Sequence, residues 1–308
     1  MAAGAPSSGA APARARRLER LLGETPSAWL FIAPAVVIIL GLSLVPMLWS
    51  LLLSFKASDL VTPSRWVGLD NYAALAEDPQ FGAAVRHTLI YAALFVPLSI
   101  AGGLALALLL NRRVRFIGLY RTLVFVPFVI SAAAQGVLFS FIFDAQFGVA
   151  NAVLDAVGIG RQGFFQDPGQ ALYLLVLIGL WAGIGFCVIV YLAALQDIPA
   201  DLVEAASIDG ARHWGTFRHI VLPSLAPVTV FLLVWQTFQA LQLFDLVYVS
   251  TKGGPLQSTT VIVYFVYDQA FQLFNAGYGA AGAYALALGL LVVGVLGGLY
   301  RRRRERVA

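Results

Sequence analysis

The chain has 308 residues, 60% of them apolar and 12% charged, with a formal net charge of +4. A soluble domain carries about a quarter charged residues, so this composition excludes an ordinary soluble globular protein and points to the membrane. The single cysteine, Cys187, excludes a disulfide framework or a cysteine-rich metal site.

Residues 1–12 are rich in Ala, Gly, Ser and Pro and too poor in large apolar groups to fold. Arg14, Arg16, Arg17 and Arg20 then alternate with Ala13, Ala15, Leu18, Leu21 and Leu22. Residues 1–27 therefore read as a disordered, basic cytoplasmic tail, with a short interfacial helix on anionic lipid as the alternative. A cleaved signal peptide is not expected. The apolar run from Trp29 to Phe55 exceeds a signal h-region, and no small-residue cleavage site follows it.

Six apolar segments follow, at 29–55, 88–110, 122–143, 171–195, 225–250 and 279–300. Each approaches or exceeds the ~20 residues that cross a bilayer. Each must be helical, because an open strand in lipid leaves backbone groups unpaired. The expectation is an all-α polytopic membrane protein with six transmembrane helices in one domain at 28–300, followed by a basic tail at 301–308.

The basic residues report orientation rather than an anionic partner, and nucleic acid is not expected to bind. Of the 20 Lys and Arg, 15 fall in the N-terminal tail, in the 111–121 loop (Arg112, Arg113, Arg115, Arg121), in the 196–224 loop (Arg212, Arg218) and at the C-terminus (Arg301, Arg302, Arg303, Arg304, Arg306). The opposite set is Lys56, Arg65, Arg86, Arg161 and Lys252. The positive-inside rule puts both termini and the 196–224 loop in the cytoplasm. The loops on the other side carry turn signals, among them Pro63, Asp70-Asn71, Asp78-Pro79, Asp167-Pro168-Gly169 and Gly253-Gly254-Pro255. Their aromatics (Trp66, Tyr72, Phe81, Phe164, Phe165) suggest short helices on the membrane surface or over a cavity, or simply a belt at the interface.

Pro199 to Pro223 is a charged island between two long apolar runs. Asp201 can cap a helix, with Glu204 three residues later closing a capping box. Gly210 makes a bend or C-cap inexpensive, since glycine accepts positive φ. A second short helix is expected over Ala211–Val221, ended by Pro223.

The island also carries a resemblance. Glu204-Ala205-Ala206, then Gly210, Ile220 and Leu222-Pro223 at their spacing match the EAA loop of binding-protein-dependent ABC importer permeases. Ile198-Pro199, Gly253-Gly254-Pro255 with Ser258-Thr259, the stretch Tyr264 to Phe271, and Gly68-Leu69-Asp70-Asn71-Tyr72 are similar to the carbohydrate-type, maltose- or glycerol-phosphate-like members. The resemblance implies a type I importer permease with a second permease subunit beside it as a heterodimer, two ATP-binding subunits beneath, and an extracytoplasmic substrate-binding protein. Lipid surrounds the whole. It implies that ATP and Mg are bound by the partner ATPases and that this chain has no cofactor and no catalytic residue. The absence of a Gly-x-x-x-x-Gly-Lys-Ser/Thr loop agrees.

Within the loop, Glu204 is the contact expected opposite a cation on the ATPase, with Asp209 as helper. Ala205 and Ala206 keep the docked face thin, Gly210 permits the bend, Leu222 with Pro223 fixes the angle into the next span, and Ile220 belongs to the same coupling set. A purely structural Asp201–Glu204 capping pair is the competing reading. His213 and His219 lie on different helix faces with no third ligand near, so no metal site is expected.

For the pathway, Gln236, Gln239, Gln242 and Asp245 recur at intervals of three in the fifth span, beside Trp235 and Phe238. Each step of three slips about 60° around a helix. Gln236 and Asp245 therefore cannot face one cavity unless the helix breaks, as transporter helices often do. Amides and aromatics suit a polyol; amides bonding neighbouring helices is the alternative. Gln135 and Ser131 in the third span, and Trp181 and Tyr191 in the fourth, are further candidates. No Lys or Arg lies inside a span, which leans towards a neutral sugar over a glycerol phosphate or phosphodiester. An ion-coupled secondary carrier is the rival class, but intramembrane acids and a repeated half are missing.

Overall fold

The computed structural model describes residues 24–112 and 115–305. Residues 1–23 of the expected basic tail, residues 113–114 and the last three residues lie outside the described residues. Two units are resolved, one ending at Leu53 and the other beginning at Ser54.

The first unit is a single helical run. Helices α1 (Glu24–Ile39) and α2 (Val45–Ser54) are joined by a π turn at Leu40–Leu44, in which the Val45 N–H donates five residues back to the Leu40 carbonyl. Pro46, which has no N–H to give, follows immediately. The 24-residue stretch Phe31–Ser54 buries none of its apolar window within the protein. A helix apolar on every side is suited to hydrocarbon.

The second unit opens with a small antiparallel hairpin of β1 (Lys56–Ala57) and β2 (Arg65–Trp66). Asp59 closes its turn, accepting the N–H groups of Val61 and Thr62 at 2.9 and 2.7 Å. Those two amides, Thr62 first, hold its carboxyl below the usual carboxylate range. Helix α3 (Asp70–Glu77) and the 32-residue α4 (Pro79–Leu110) follow, the latter capped by Asp78, whose side chain accepts the Gln80 N–H at 2.7 Å. Helix α5 (Ile117–Val129) and α6 (Ala132–Ile142) come next, then α7 (Val149–Ala156), the 26-residue α8 (Ala171–Gln196), α9 (Ala200–Ile208), α10 (His213–Thr216) and α11 (Leu222–Ser224). Helix α12 (Ala226–Leu241), α13 (Asp245–Ser250), α14 (Ile262–Tyr267) and α15 (Ala276–Glu305) complete the chain.

Helix α4 lies along α8, and α12 and α5 pack on that pair. Small residues allow the closeness. A Cβ added to Gly103 would fall against the Cys187 Cβ, and one on Gly183 would sit 2.9 Å from the Phe95 ring. One apolar cluster joins Tyr91 and Phe95 to Leu175, Ile178, Ala240 and Val247; a second joins Ala107 to Val188, Tyr191, Leu225 and Leu232. A third, around Leu75, Ala84, Ile262, Phe265 and Ala281, seats α3 and α14 against α15.

Among the described residues, four helical runs are long and apolar enough to cross a membrane: Phe31–Ser54, Pro79–Leu110, Ala171–Gln196 and Ala226–Ser250. The segment expected as a straight third span is instead broken. α5 and α6 meet at 99°. Pro127 removes a backbone donor from the last turn of α5. Ile130 and Ser131 are extended, and the Ser131 hydroxyl accepts the Ala134 N–H at 3.3 Å as the N-cap of α6. The sixth expected segment is a shorter apolar stretch, Ala276–Leu291, in a helix that runs on to Glu305.

Candidate functional site

Two places draw the candidate residues together. The first is a cleft of about 360 Å³ where two apolar segments are interrupted. One interruption is the α5–α6 break. The other lies at 242–244, between α12 and α13, where Phe244 takes φ −140° and ψ −61°. Gln236, Gln239, Gln242 and Asp245 all line this cleft, with Gln135 opposite. The break does what a straight helix could not.

Their surroundings divide them. Gln236 is buried and donates its amide to the Cys187 Sγ at 3.2 Å, tying α12 to α8. Gln135 is buried too, and its amide donates to the Pro127 and Ile130 carbonyls at 3.2 and 2.8 Å, satisfying acceptors that the α5–α6 break sets free. Gln239, Gln242 and Asp245 are exposed to the cleft. Tyr91, Phe95, Phe128 and Phe244 supply aromatic wall, and Gly179 and Gly183 open room beside them. No Lys, Arg or His is among the lining residues.

The other candidates sit elsewhere. Trp235 stacks on Phe186 at 5.3 Å, and Trp181 meets the Phe139 ring edge-on at 5.1 Å; neither lines the cleft. Tyr191 is buried, with its hydroxyl 3.0 Å from that of Thr229. Ser131 is spent on its cap. Phe128 and Phe244 were not anticipated, because a phenylalanine within an apolar run carries no signal until the backbone break turns it inward.

The second place is the 196–224 loop. Helix α9 starts at Ala200, two residues earlier than expected. Asp201 therefore stands inside the first turn rather than at the N-cap, so the expected Asp201–Glu204 capping box is not the arrangement found. The acid still favours the positive end of the helix dipole. Gly210 terminates α9 with φ +80°, and the Ala211 N–H reaches back to the Ala206 carbonyl at 2.9 Å, the six-to-one bond of a Schellman cap. Nothing lies within 4 Å of a Cβ built on Gly210, so its backbone angle alone requires glycine.

The second helix begins at His213, not Ala211, and Pro223 does not end it. Helical structure continues through a π turn at Phe217–Val221 into α11 and, after Leu225, into α12. The Leu222 N–H donates to the Phe217 carbonyl, five back, just ahead of the proline. The wider turn accommodates a residue that cannot donate, as it does before Pro46. Glu204, Ala205, Asp209 and Gly210 are exposed, flanked by exposed Leu202, Ile208 and Trp214. Ala206, Ile220 and Pro223 complete the same segment, with Leu222 41% exposed.

Comparison with known proteins agrees with this architecture. Residues 99–306 match the family described as binding-protein-dependent transport system inner membrane component. The chain belongs to that family. The lactose transport system permease protein LacF of Rhizobium radiobacter is 37% identical over 283 residues, covering 90% of this chain and 94% of the relative. The sn-glycerol-3-phosphate transport system permease protein UgpA of Yersinia pestis is 36% identical over 233 residues, covering 75% and 78%. Among solved structures, the crystal structure of a bacterial ABC transporter importing the acidic polysaccharide alginate aligns with a TM-score of 0.82 at 26% identity, over 93% of this chain and 99% of the other. This inner-membrane component is thus an all-α, multi-pass ABC importer permease of the sugar and glycerol-phosphate group.

Proposed function

We propose that this permease forms half of the translocation pathway for a neutral sugar or related polyol, with the cleft between the α5–α6 and α12–α13 breaks as its passage point. The lining of that cleft carries the proposal. Exposed Gln239 and Gln242 offer amide donors and acceptors, Asp245 adds an acceptor, and no cation stands by to hold a phosphate. Its volume of about 360 Å³ falls within the ~300–1,000 Å³ of small-molecule sites. The likeness to LacF supports a sugar. The likeness to UgpA supports glycerol 3-phosphate as a second reading, in which the partner permease supplies the cation.

The chain itself hydrolyses nothing in this proposal. ATP and Mg belong to two ATP-binding subunits, and an extracytoplasmic binding protein delivers the substrate. The 196–224 loop is the cytoplasmic element through which the ATPases act. Glu204 and Asp209 face the ATPase, Ala205 and Ala206 keep that face thin, and Leu202, Ile208 and Trp214 enter its groove. The helical continuity from His213 into α12 supports this role, because a displaced loop then carries α12 and its glutamines with it. Both termini lie in the cytoplasm, and six segments cross the membrane.

The test is sugar-stimulated ATP hydrolysis in the reconstituted importer. Gln239→Ala is expected to weaken stimulation while leaving sugar-free hydrolysis in place. Equal loss of both would return Gln239 to a packing role.

A further inference from the structure

We infer that a strip of five aromatic rings in mutual contact continues from the cleft onto the 262–272 helix and forms an approach site for the pyranose face of a sugar. The inference rests on the sugar-import reading above and extends it to residues outside the cleft.

Phe244, which lines the cleft, is the inner end. Its ring lies 5.4 Å from Tyr248, 6.4 Å from Tyr264 and 5.1 Å from Tyr267. Tyr267 in turn lies 5.2 Å from Tyr248 and 5.5 Å from Phe271. Tyr248 and Phe271 are exposed, at 40% and 61%, and Phe244, Tyr264 and Tyr267 between them are half-buried. Tyr264, Tyr267 and Phe271 fall at i, i+3 and i+7, one face of a helix. Ile262, Phe265 and Gln269 hold the same spacing on another face and are buried. That face serves the core; on the aromatic face Tyr264 also packs against the cluster around Tyr91 and Phe95, which leaves Tyr267 and Phe271.

The character of that face argues against a contact with acyl chains. Elsewhere the exposed helix surface is largely aliphatic, as at Val37, Ile38 and Ile39. Here phenols interleave with polar groups: Gln272 donates to the Tyr267 hydroxyl at 2.9 Å, and Asp268 follows it in the chain. Flat rings with polar edges suit a ligand that has an apolar ring face and a rim of hydroxyls. The strip leads directly to Gln242 and Asp245, where hydrogen bonding takes over.

The experiment uses the complete reconstituted importer with its binding protein. Uptake is measured for radiolabelled lactose, maltose and glucose, and for glycerol 3-phosphate as a probe without a ring. In Tyr267→Ala and Phe271→Ala the half-saturating concentration of the transported ring sugar is expected to rise roughly three- to tenfold, the scale of one aromatic contact. Glycerol 3-phosphate should change less, and Tyr267→Phe and Phe271→Tyr should restore the wild-type value. Alanine variants with unchanged half-saturation overturn the strip alone. So does loss of the second permease subunit from the purified alanine variants, which would make the rings a subunit contact. A wild-type importer that moves none of the ring sugars overturns the sugar reading and the strip together.

Discussion

The amide of Gln236 donates to the sulfur of Cys187 at 3.2 Å, joining α12 to α8 in the wall of the cleft that Gln239, one turn on, faces freely. Two glutamines three residues apart thus have different duties. Gln236→Ala removes a buried amide and leaves a void, and is expected to lower stability by about 1–3 kcal/mol, read as a fall in the thermal midpoint of the purified complex. Gln239→Ala should leave that midpoint in place.

Gln135 stands both on the cleft wall and beneath the break it stabilises. Replacing it with Leu keeps the volume and strips the two donors from the Pro127 and Ile130 carbonyls. A cost of about 1–3 kcal/mol is expected for the exposed acceptors, together with weaker sugar stimulation, because the α5–α6 angle shapes the cleft. An unchanged midpoint would show that water satisfies those carbonyls instead.

Gly210 sits at φ +80° with open space around it. Gly210→Asn should therefore be tolerated, whereas Gly210→Val, which resists left-handed backbone, should cost about 1–2 kcal/mol locally and unseat the end of α9. Uptake and co-purification of the ATP-binding subunits are expected to fall in the valine variant with the protein still in the membrane. Gly210→Asp and Glu204→Lys are expected to abolish uptake through charge at the docking face; normal uptake by both would sink the assignment of this loop to the ATPase.

Asp59 gives a pH dependence. Its folded pKa lies below the ordinary 3.8 because the Thr62 and Val61 amides stabilise the carboxylate. The sign follows: the turn is supported above the unfolded pKa, and that support is lost as pH falls through the folded value. Protection of the Val61 and Thr62 amides from hydrogen exchange should drop below about pH 3.8, and Asp59→Ala should abolish both the protection and its pH dependence.

Composition alone was enough for the membrane, because half the usual charge cannot clothe a soluble surface. The EAA spacing from Glu204 to Pro223 was legible as a resemblance, and the bend at Gly210 had a local backbone reason as well, a glycine for φ +80°. The helix start at Ala200, its continuation through Pro223, and the 99° break after Val129 were not legible. Each depends on which of several tolerated backbone paths the neighbouring helices hold in place. The cleft was decided by tertiary structure for the same reason. Sequence sets residues around a helix by a fixed 100° per step, and that rule separates Gln236 from Asp245. Only interruption of the helix at 242–244, packed against α8 and the bent α5–α6 pair, brings both to one wall.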